Sequence, residues 1–294
     1  MKPRVALIGP GRLGQAVGRL LQEAGYDFRA VIGRDPQRTS QAARFIGCRQ
    51  CDSCDLRRAA DAELILIAVP DDHIGEVAAA LRHGDALRAG TTLVHFSGIH
   101  PAAILLGAEG PKLQALSLHP LQTFADAVMG VKALPGSPVA IEGLEDVLPL
   151  AETLATDMGG GPFRIEAGQK PLYHAAASVA SNSLTALAAT AAELMAACGF
   201  SAQEGLGLLL PLMRATLANI STLGPELALT GPIARGDVHT VAKHLKALAG
   251  LPGDVGDLYR VMGKRTVELA PRKGTLEEEP AQRLRRMLQE EGKD

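Results

Sequence analysis

Two histidines in this chain of 294 residues stand where they could hand a proton to a reacting atom. His119 closes an apolar run and precedes Pro120. His174 falls in a long Ala/Leu-rich stretch, four residues after Lys170 and four before Ser178, with Asn182 the next step. A carbonyl or imine that gains a hydride needs a proton donor, and imidazole is the commonest one. Position sets the other histidines aside. His83, His239 and His244 have charged neighbours, His73 opens a helix after Pro70, His100 leads into Pro101, and His95 sits inside a strand. His119 is the stronger donor candidate, with Ser97 as its orienting partner; the competing reading has His119 bonding backbone carbonyls at the end of the sheet. His174 is the second candidate, and Asn182 completes the catalytic set.

A second chemistry lies at the start of the chain. Residues 5–8 form an apolar strand, and Gly9-Pro10-Gly11-Arg12-Leu13-Gly14 follows in the spacing G-x-G-x-x-G before an Ala/Val/Leu-rich helix. In that context Gly9 permits the tight turn, Gly11 lets the backbone approach a pyrophosphate, and Gly14 lets helix and strand pack closely. The free N–H groups of the helix start then face the phosphates. The second strand, 28–32, ends in Gly33-Arg34, where an NAD-selective site usually carries an acidic residue. Asp35 comes one residue late and is read as the cap of the next helix, ahead of Pro36. Arg34 offers a planar fork for a 2′-phosphate, and Arg38 lies one turn on. The cofactor expected is therefore NADP.

The elements that must position these groups alternate between strand and helix. Strands are expected at 62–69, 91–96 and 113–118, ending in Val69-Pro70-Asp71-Asp72, Ser97-Gly98 and His119-Pro120. Further strands are read at 138–142 and 162–165, with a helix at 146–158. Continuous apolar runs of this kind suit a parallel sheet covered on both faces. Ligands of a doubly wound sheet bind beyond the carboxyl ends of its strands. Gly9 to Leu13, Gly33-Arg34, Val69 to Asp72, Ser97-Gly98 and His119 should therefore meet at one crevice. From residue 171 onward the chain reads as helical, with helices near 171–198, 202–222, 238–249, 254–270 and 279–290. The fold expected is α/β: a Rossmann doubly wound sheet over 1–166, then an all-helical domain over 167–294.

The polar row Lys170, His174, Ser178 and Asn182 drifts about 40° per step around its helix. It either faces the cofactor crevice, where Ser178 would touch substrate, or forms a hydrogen-bonded seam between helices. The loop 230–237 is the other unusual stretch. Arg235 could bind a carboxylate or phosphate of a substrate, and Asp237 could equally cap the next helix.

Composition narrows the classes. Hydrophobic residues make up 47% and charged residues 21%, as in an ordinary soluble globular protein. A formal net charge of -2 argues against a general nucleic-acid binder. The run 175–200 holds too many polar groups for a lipid-facing span and is read as a buried helix. No signal peptide is visible, so a cytoplasmic location is expected. Cys48-x-x-Cys51-x-x-Cys54 has the spacing of a metal or cluster site, but Cys198 is far along the chain and the nearest histidine is His73. Free thiols of a reducing compartment, with no metal, are the reading taken.

The sequence GPGRLG, AVPDD, HFSG, SLHPLQTF and TGPIARGD resembles the Rossmann-like proteins that carry the domain of unknown function 2520, within the 6-phosphogluconate-dehydrogenase-like group. That resemblance implies an NADP-dependent oxidoreductase without an assigned substrate, working on a small carbonyl, hydroxyl or imine compound in an interdomain cleft. A sensor or scaffold that binds NADP without turnover is the rival. His119-Pro120 is similar to the His-Pro of prephenate dehydrogenases, whose histidine bonds the substrate hydroxyl. Gly168-Gln169-Lys170 resembles the start of the β-hydroxyacid dehydrogenase signature, with His174 where that signature has Asn. The related families imply a homodimer made by the helical domain, with the small-residue face of the 175–197 helix at the interface.

Overall fold

In the computed structural model, residues 2–48, 51–84, 87–107, 112–251 and 253–289 are described. The chain divides into two compact units, Met1–Ser183 and Leu184–Asp294. The first is built on one eight-stranded sheet. Its strands are β1 (Arg4–Ile8), β2 (Asp27–Ile32), β3 (Asp52–Ser53), β4 (Leu64–Ile67), β5 (Thr92–His95), β6 (Gln114–Pro120), β7 (Pro138–Gly143) and β8 (Gly161–Arg164). They lie in the order β3-β2-β1-β4-β5-β6-β7-β8. The six strands from β3 to β6 are parallel, β7 runs antiparallel to β6, and β8 is parallel to β7. The order 3-2-1-4-5-6 is that of a dinucleotide-binding Rossmann sheet.

Alternation along each strand sends side chains to opposite faces, and both faces are buried. Val5, Leu7, Leu64, Leu66, Val94, Leu116 and Leu118 join one core cluster. Ala6, Ile8, Ile65, Ile67, Leu93 and Ala115 join the other. By the same alternation Ser117 and His119 share the face opposite Leu116 and Leu118. Helices cover the sheet: α1 (Arg12–Glu23), α2 (Pro36–Ile46), α3 (Ile74–His83), α4 (Ala127–Ala133) and α5 (Leu148–Asp157). Asp35 caps α2, accepting the Arg38 N–H at 2.9 Å, with Pro36 at the first position. The sequence reading lacked β3, α4 and the antiparallel sense of β7. β3 is two residues long, and α4 carries only seven, so neither shows a period.

α6 (Lys170–Ala197) runs from the first unit into the second. The second unit continues with α7 (Ala202–Ala228), α8 (Val238–Leu248), α9 (Val255–Lys273) and α10 (Glu278–Gln289). Its core is Ile233, Val241, Val267, Ala270, Leu276, Ala281, Leu284 and Leu288. α7 starts with a capping box, Ser201 with Glu204, and is broken at Gly224, whose φ of 77° is left-handed.

Two expectations are corrected here. The 175–200 stretch is not a buried helix: Ala192 is its one buried residue among those described, and Val179 is 68% exposed. Small residues make a helix look core-like in composition without giving it enough side chain to bury. Cys48 and Cys51 are joined as a disulfide rather than left as free thiols, while Cys54 and Cys198 are free and exposed. Both paired cysteines are buried beside β2, where a three-residue separation lets the sulfurs meet. Among the described residues no group of three or more His, Cys, Asp or Glu side chains could hold a metal ion.

Among the described residues one helix, α7, is long and apolar enough to cross a membrane by length and composition, with a mean hydropathy of 1.4 over its most apolar stretch. It contains Pro211 and the break at Gly224.

Candidate active site

The carboxyl edge of the sheet begins with the glycine turn. Gly9 has φ 84°, and a Cβ there would lie 2.7 Å from the Ala68 carbonyl oxygen. A Cβ on Gly14 would lie 2.6 Å from the Gly9 carbonyl oxygen and 3.1 Å from the Ala68 methyl. These two positions are filled by the protein itself. Gly11 is different: it is exposed, nothing lies within 4 Å of its Cβ position, and it caps the N-terminus of α1. A bare backbone at a helix N-terminus, with no acidic residue in the first turn, fits a diphosphate. Pro10, Arg12 and Leu13 line the same turn; Gln15 holds it by donating to the Pro10 carbonyl at 2.9 Å.

The end of β2 presents Gly33 packed on Thr39 and Pro10, then an exposed Arg34. The only nearby carboxylate in sequence, Asp35, is taken up by the cap of α2 and by Arg38 at 3.9 Å. Asp55, which follows the neighbouring β3, is held by Arg57 at 2.7 Å, and among the described residues no carboxylate forms an ion pair with Arg34. Val69 and Pro70 follow β4, with Val69 against Gly9, and Asp72 lies in the short turn that leads into α3.

The residues that could move a proton meet two strands along. Lys170 is fully buried. Its Nζ donates to the Ser97 carbonyl at 3.1 Å and to Ser117 Oγ at 2.7 Å, so it bridges the ends of β5 and β6. Ser117 in turn donates to the same Ser97 carbonyl at 3.3 Å. Burial lowers the Lys170 amine to about 8, against the opposing pull of Glu142 and Asp71. It thus keeps its charge at pH 7 and gives it up in the weakly alkaline range.

His119 Nδ1 lies 2.7 Å from the Tyr173 hydroxyl, with the rings edge to face. Burial, with His174 and Lys170 nearby, lowers His119 to about 4, so it is neutral at pH 7. His174 stacks edge-on to His119, ring centroids 5.8 Å apart. Its Nδ1 is buried and has no hydrogen-bond partner. Gly98 makes this packing possible. A Cβ on it would stand 2.5 Å from His174 Nδ1 and 2.9 Å from His119 Nε2. We expect Gly98→Ala to push both rings aside and to cost about 1–3 kcal/mol in urea unfolding. An unchanged unfolding midpoint would mean that the rings are not held against Gly98.

The sequence reading offered Ser97 as the partner of His119. In the structure, the Ser97 hydroxyl instead accepts from the Ile99 and His100 N–H groups, both at 3.2 Å, and its carbonyl serves Lys170. The partner of His119 is Tyr173, which the sequence reading did not select. Ser117 was also missed, and Lys170 was read only as one member of the polar row, with no role assigned. The available signal was spacing: Ser117 and His119 share one strand face, and Lys170 and His174 share one helix face. His95 is fully buried, accepts from the Ser97 N–H at 3.1 Å and bonds the Pro101 carbonyl at 3.2 Å; burial lowers it to about 3. It shapes the β5 end as a neutral ring. Farther along α6, Ser178 is half-buried and Asn182 exposed. Arg235 is exposed in the second unit, where Asp237 caps α8 through Thr240 at 3.0 Å.

The fold and this edge define a Rossmann-like domain followed by a helical region. Family models agree. Residues 1–120 match the Rossmann-like domain and residues 137–266 match the Domain of unknown function DUF2520. No curated protein matches it in sequence. Among solved structures it is similar to BF3122 from Bacteroides fragilis, a candidate NADP oxidoreductase, at 22% identity and TM-score 0.74, covering 92% of this chain and 98% of that one. It is similar to protein TM1727 from Thermotoga maritima at 24% identity and TM-score 0.68, covering 92% and 99%. It is also similar to an imine reductase from a Pseudomonas species at 22% identity and TM-score 0.64, covering 98% and 100%.

Proposed function

We propose that this protein is an NADP-dependent reductase of a small carbonyl or imine substrate, or a dehydrogenase of the matching hydroxyl compound. One observation carries the reading: the open Gly11 backbone at the start of α1 and the Lys170, His119 and His174 cluster lie along the same carboxyl edge of one sheet. Two of the structural relatives bear the names NADP oxidoreductase and imine reductase, which supports the same chemistry. The α1 turn would hold the diphosphate, Arg34 and Arg38 the 2′-phosphate, and Val69, Pro70, Asp72, Ser97 and Gly98 the path between adenosine and nicotinamide. When bound, the nicotinamide supplies the hydride.

The chain's own part is the proton and the field. The Lys170 ammonium is a fixed positive charge in a dry setting, where it favours negative charge developing on a substrate oxygen or nitrogen. His119 is the donor to that atom. His174, Ser178 and Asn182 bind and orient substrate. The test is oxidation of NADPH by the whole protein against a panel of small oxo acids, aldehydes and imines. Turnover of at least one class supports the reading; tight NADPH binding with no oxidation by any of them favours a sensor.

We further propose that the working form is a homodimer. α7 exposes Leu208, Leu212, Leu217, Ile220, Leu223 and Leu227, each at least 40% accessible. An apolar row of that size marks an interaction surface. The interruptions at Pro211 and Gly224 suit a protein partner better than a bilayer. With the small-residue face of α6, a second copy would bury more than about 1,600 Å². Light scattering at micromolar concentration should give twice the chain mass; a monomer mass rejects the dimer.

A further inference from the structure

We propose that Tyr173 is a positioning residue that fixes the tautomer of His119 and passes it a proton, so that the site takes substrates whose reacting atom is a hydrogen-bond acceptor. The class named is ketones, aldehydes and unprotonated imines. This rests on His119 being the group that faces the reacting atom.

The argument starts from the contact between the Tyr173 hydroxyl and His119 Nδ1 at 2.7 Å. Such a short separation is that of an O–H donor on a strong acceptor. Between a phenol and an imidazole, the imidazole nitrogen is the better base, so Tyr173 donates and Nδ1 accepts. Burial supports this direction, since it raises the Tyr173 phenol to about 12 and keeps its proton in place. With Nδ1 occupied as an acceptor, the one ring proton of neutral His119 sits on Nε2. Nε2 is the nitrogen turned toward Gly98, on the carboxyl edge of the sheet. The groups that act on His119 are His174, Lys170 and Asp71 besides Tyr173. None offers Nδ1 a competing acceptor within hydrogen-bond distance.

A donor-only Nε2–H selects its partner. A carbonyl oxygen or a neutral imine nitrogen accepts from it. A protonated iminium has no lone pair to offer and would also meet the Lys170 ammonium. The proton then moves in a closed account. As the substrate carbon gains a hydride, its oxygen takes the proton from His119 Nε2. Nδ1 takes the phenolic proton of Tyr173, so the imidazole stays neutral with its proton on the other nitrogen. Water then returns a proton to His119 Nε2 as the Nδ1 proton goes back to the Tyr173 phenolate, so both groups end as they began; His119 is half-buried, and solvent reaches it. A hydrogen-bonded phenol on Nδ1 also spares His119 from passing through an imidazolate.

The test is a long-range proton–nitrogen NMR spectrum of the full-length, nitrogen-15-labelled protein at pH 7.5 without cofactor, with His119→Asn used to assign the ring. The parent should show His119 Nδ1 as the bare ring nitrogen and Nε2 as the N–H. In Tyr173→Phe the two signals should move toward each other as the tautomers mix, NADPH affinity should hold, and kcat should fall about 10-fold at unchanged KM, the loss expected for one hydrogen bond. A parent spectrum with the proton on Nδ1 overturns the proposal, and needs no variant to fold. So does a Tyr173→Phe spectrum identical to the parent. Because the spectra need no substrate, absence of turnover would sink the reductase reading while leaving the Tyr173 assignment decided on its own.

Discussion

His119→Asn should bind NADPH as tightly as the parent and reduce any accepted substrate about 10²–10⁴ more slowly in kcat, the usual worth of a positioned acid–base group. Asparagine keeps a polar side chain at a half-buried strand end, so the fold should survive. The loss should not be recovered by lowering pH. His119 is lowered to about 4, chiefly by burial, with His174 and Lys170 beside it, so across the neutral range it is already uncharged. Its role as a neutral donor therefore gives a flat profile from pH 5 to 7. His174→Asn should cost less and act mainly on KM. Turnover that survives in His119→Asn but vanishes in His174→Asn would exchange the two roles, and turnover unchanged in both would place the donor elsewhere.

The second large effect is on cofactor choice. The parent should prefer NADPH over NADH by about 1–3 kcal/mol, the worth of charge-assisted bonds to a 2′-phosphate. Arg34→Asp should reverse that order, because a carboxylate at the end of β2 repels the phosphate and accepts from a free 2′-hydroxyl. Stability should change little, since Arg34 is exposed. Calorimetric titration of both proteins with both cofactors checks this. Equal affinities of the parent for NADPH and NADH would remove Arg34 from the site.

How much of this could be seen in the sequence depends on the element. The glycine turn was legible because Gly9 and Gly14 are packed against backbone and Ala68, and only glycine fits. The core strands were legible because both faces of the sheet are buried, which writes an unbroken apolar run. The cap Asp35-Pro36 was legible from local chemistry alone. The heart of the site was only half visible. His119 announced itself at a strand end. Ser117 and Tyr173 did not, and Lys170 showed only as one of a polar row, because what makes them a site is contact between residues 53 to 73 apart in the chain. The disulfide escaped for another reason. A three-residue spacing permits a thiol pair, a metal site or a bridge alike, and the choice is made by how the chain packs beside β2. The burial of α6 was misjudged because an Ala-rich helix has the composition of a core with little side chain to hide.

The central claim is that the carboxyl edge of this sheet is a nicotinamide dinucleotide site. Titration of the whole protein with NADPH, followed by calorimetry, tests it most directly. Saturable binding of one NADPH per chain is expected, and it should be abolished in Gly11→Glu, which sets a carboxylate at the start of α1 where nothing lies within 4 Å of the added Cβ. No saturable binding of NADPH or NADH, or binding that Gly11→Glu leaves untouched, would contradict the account.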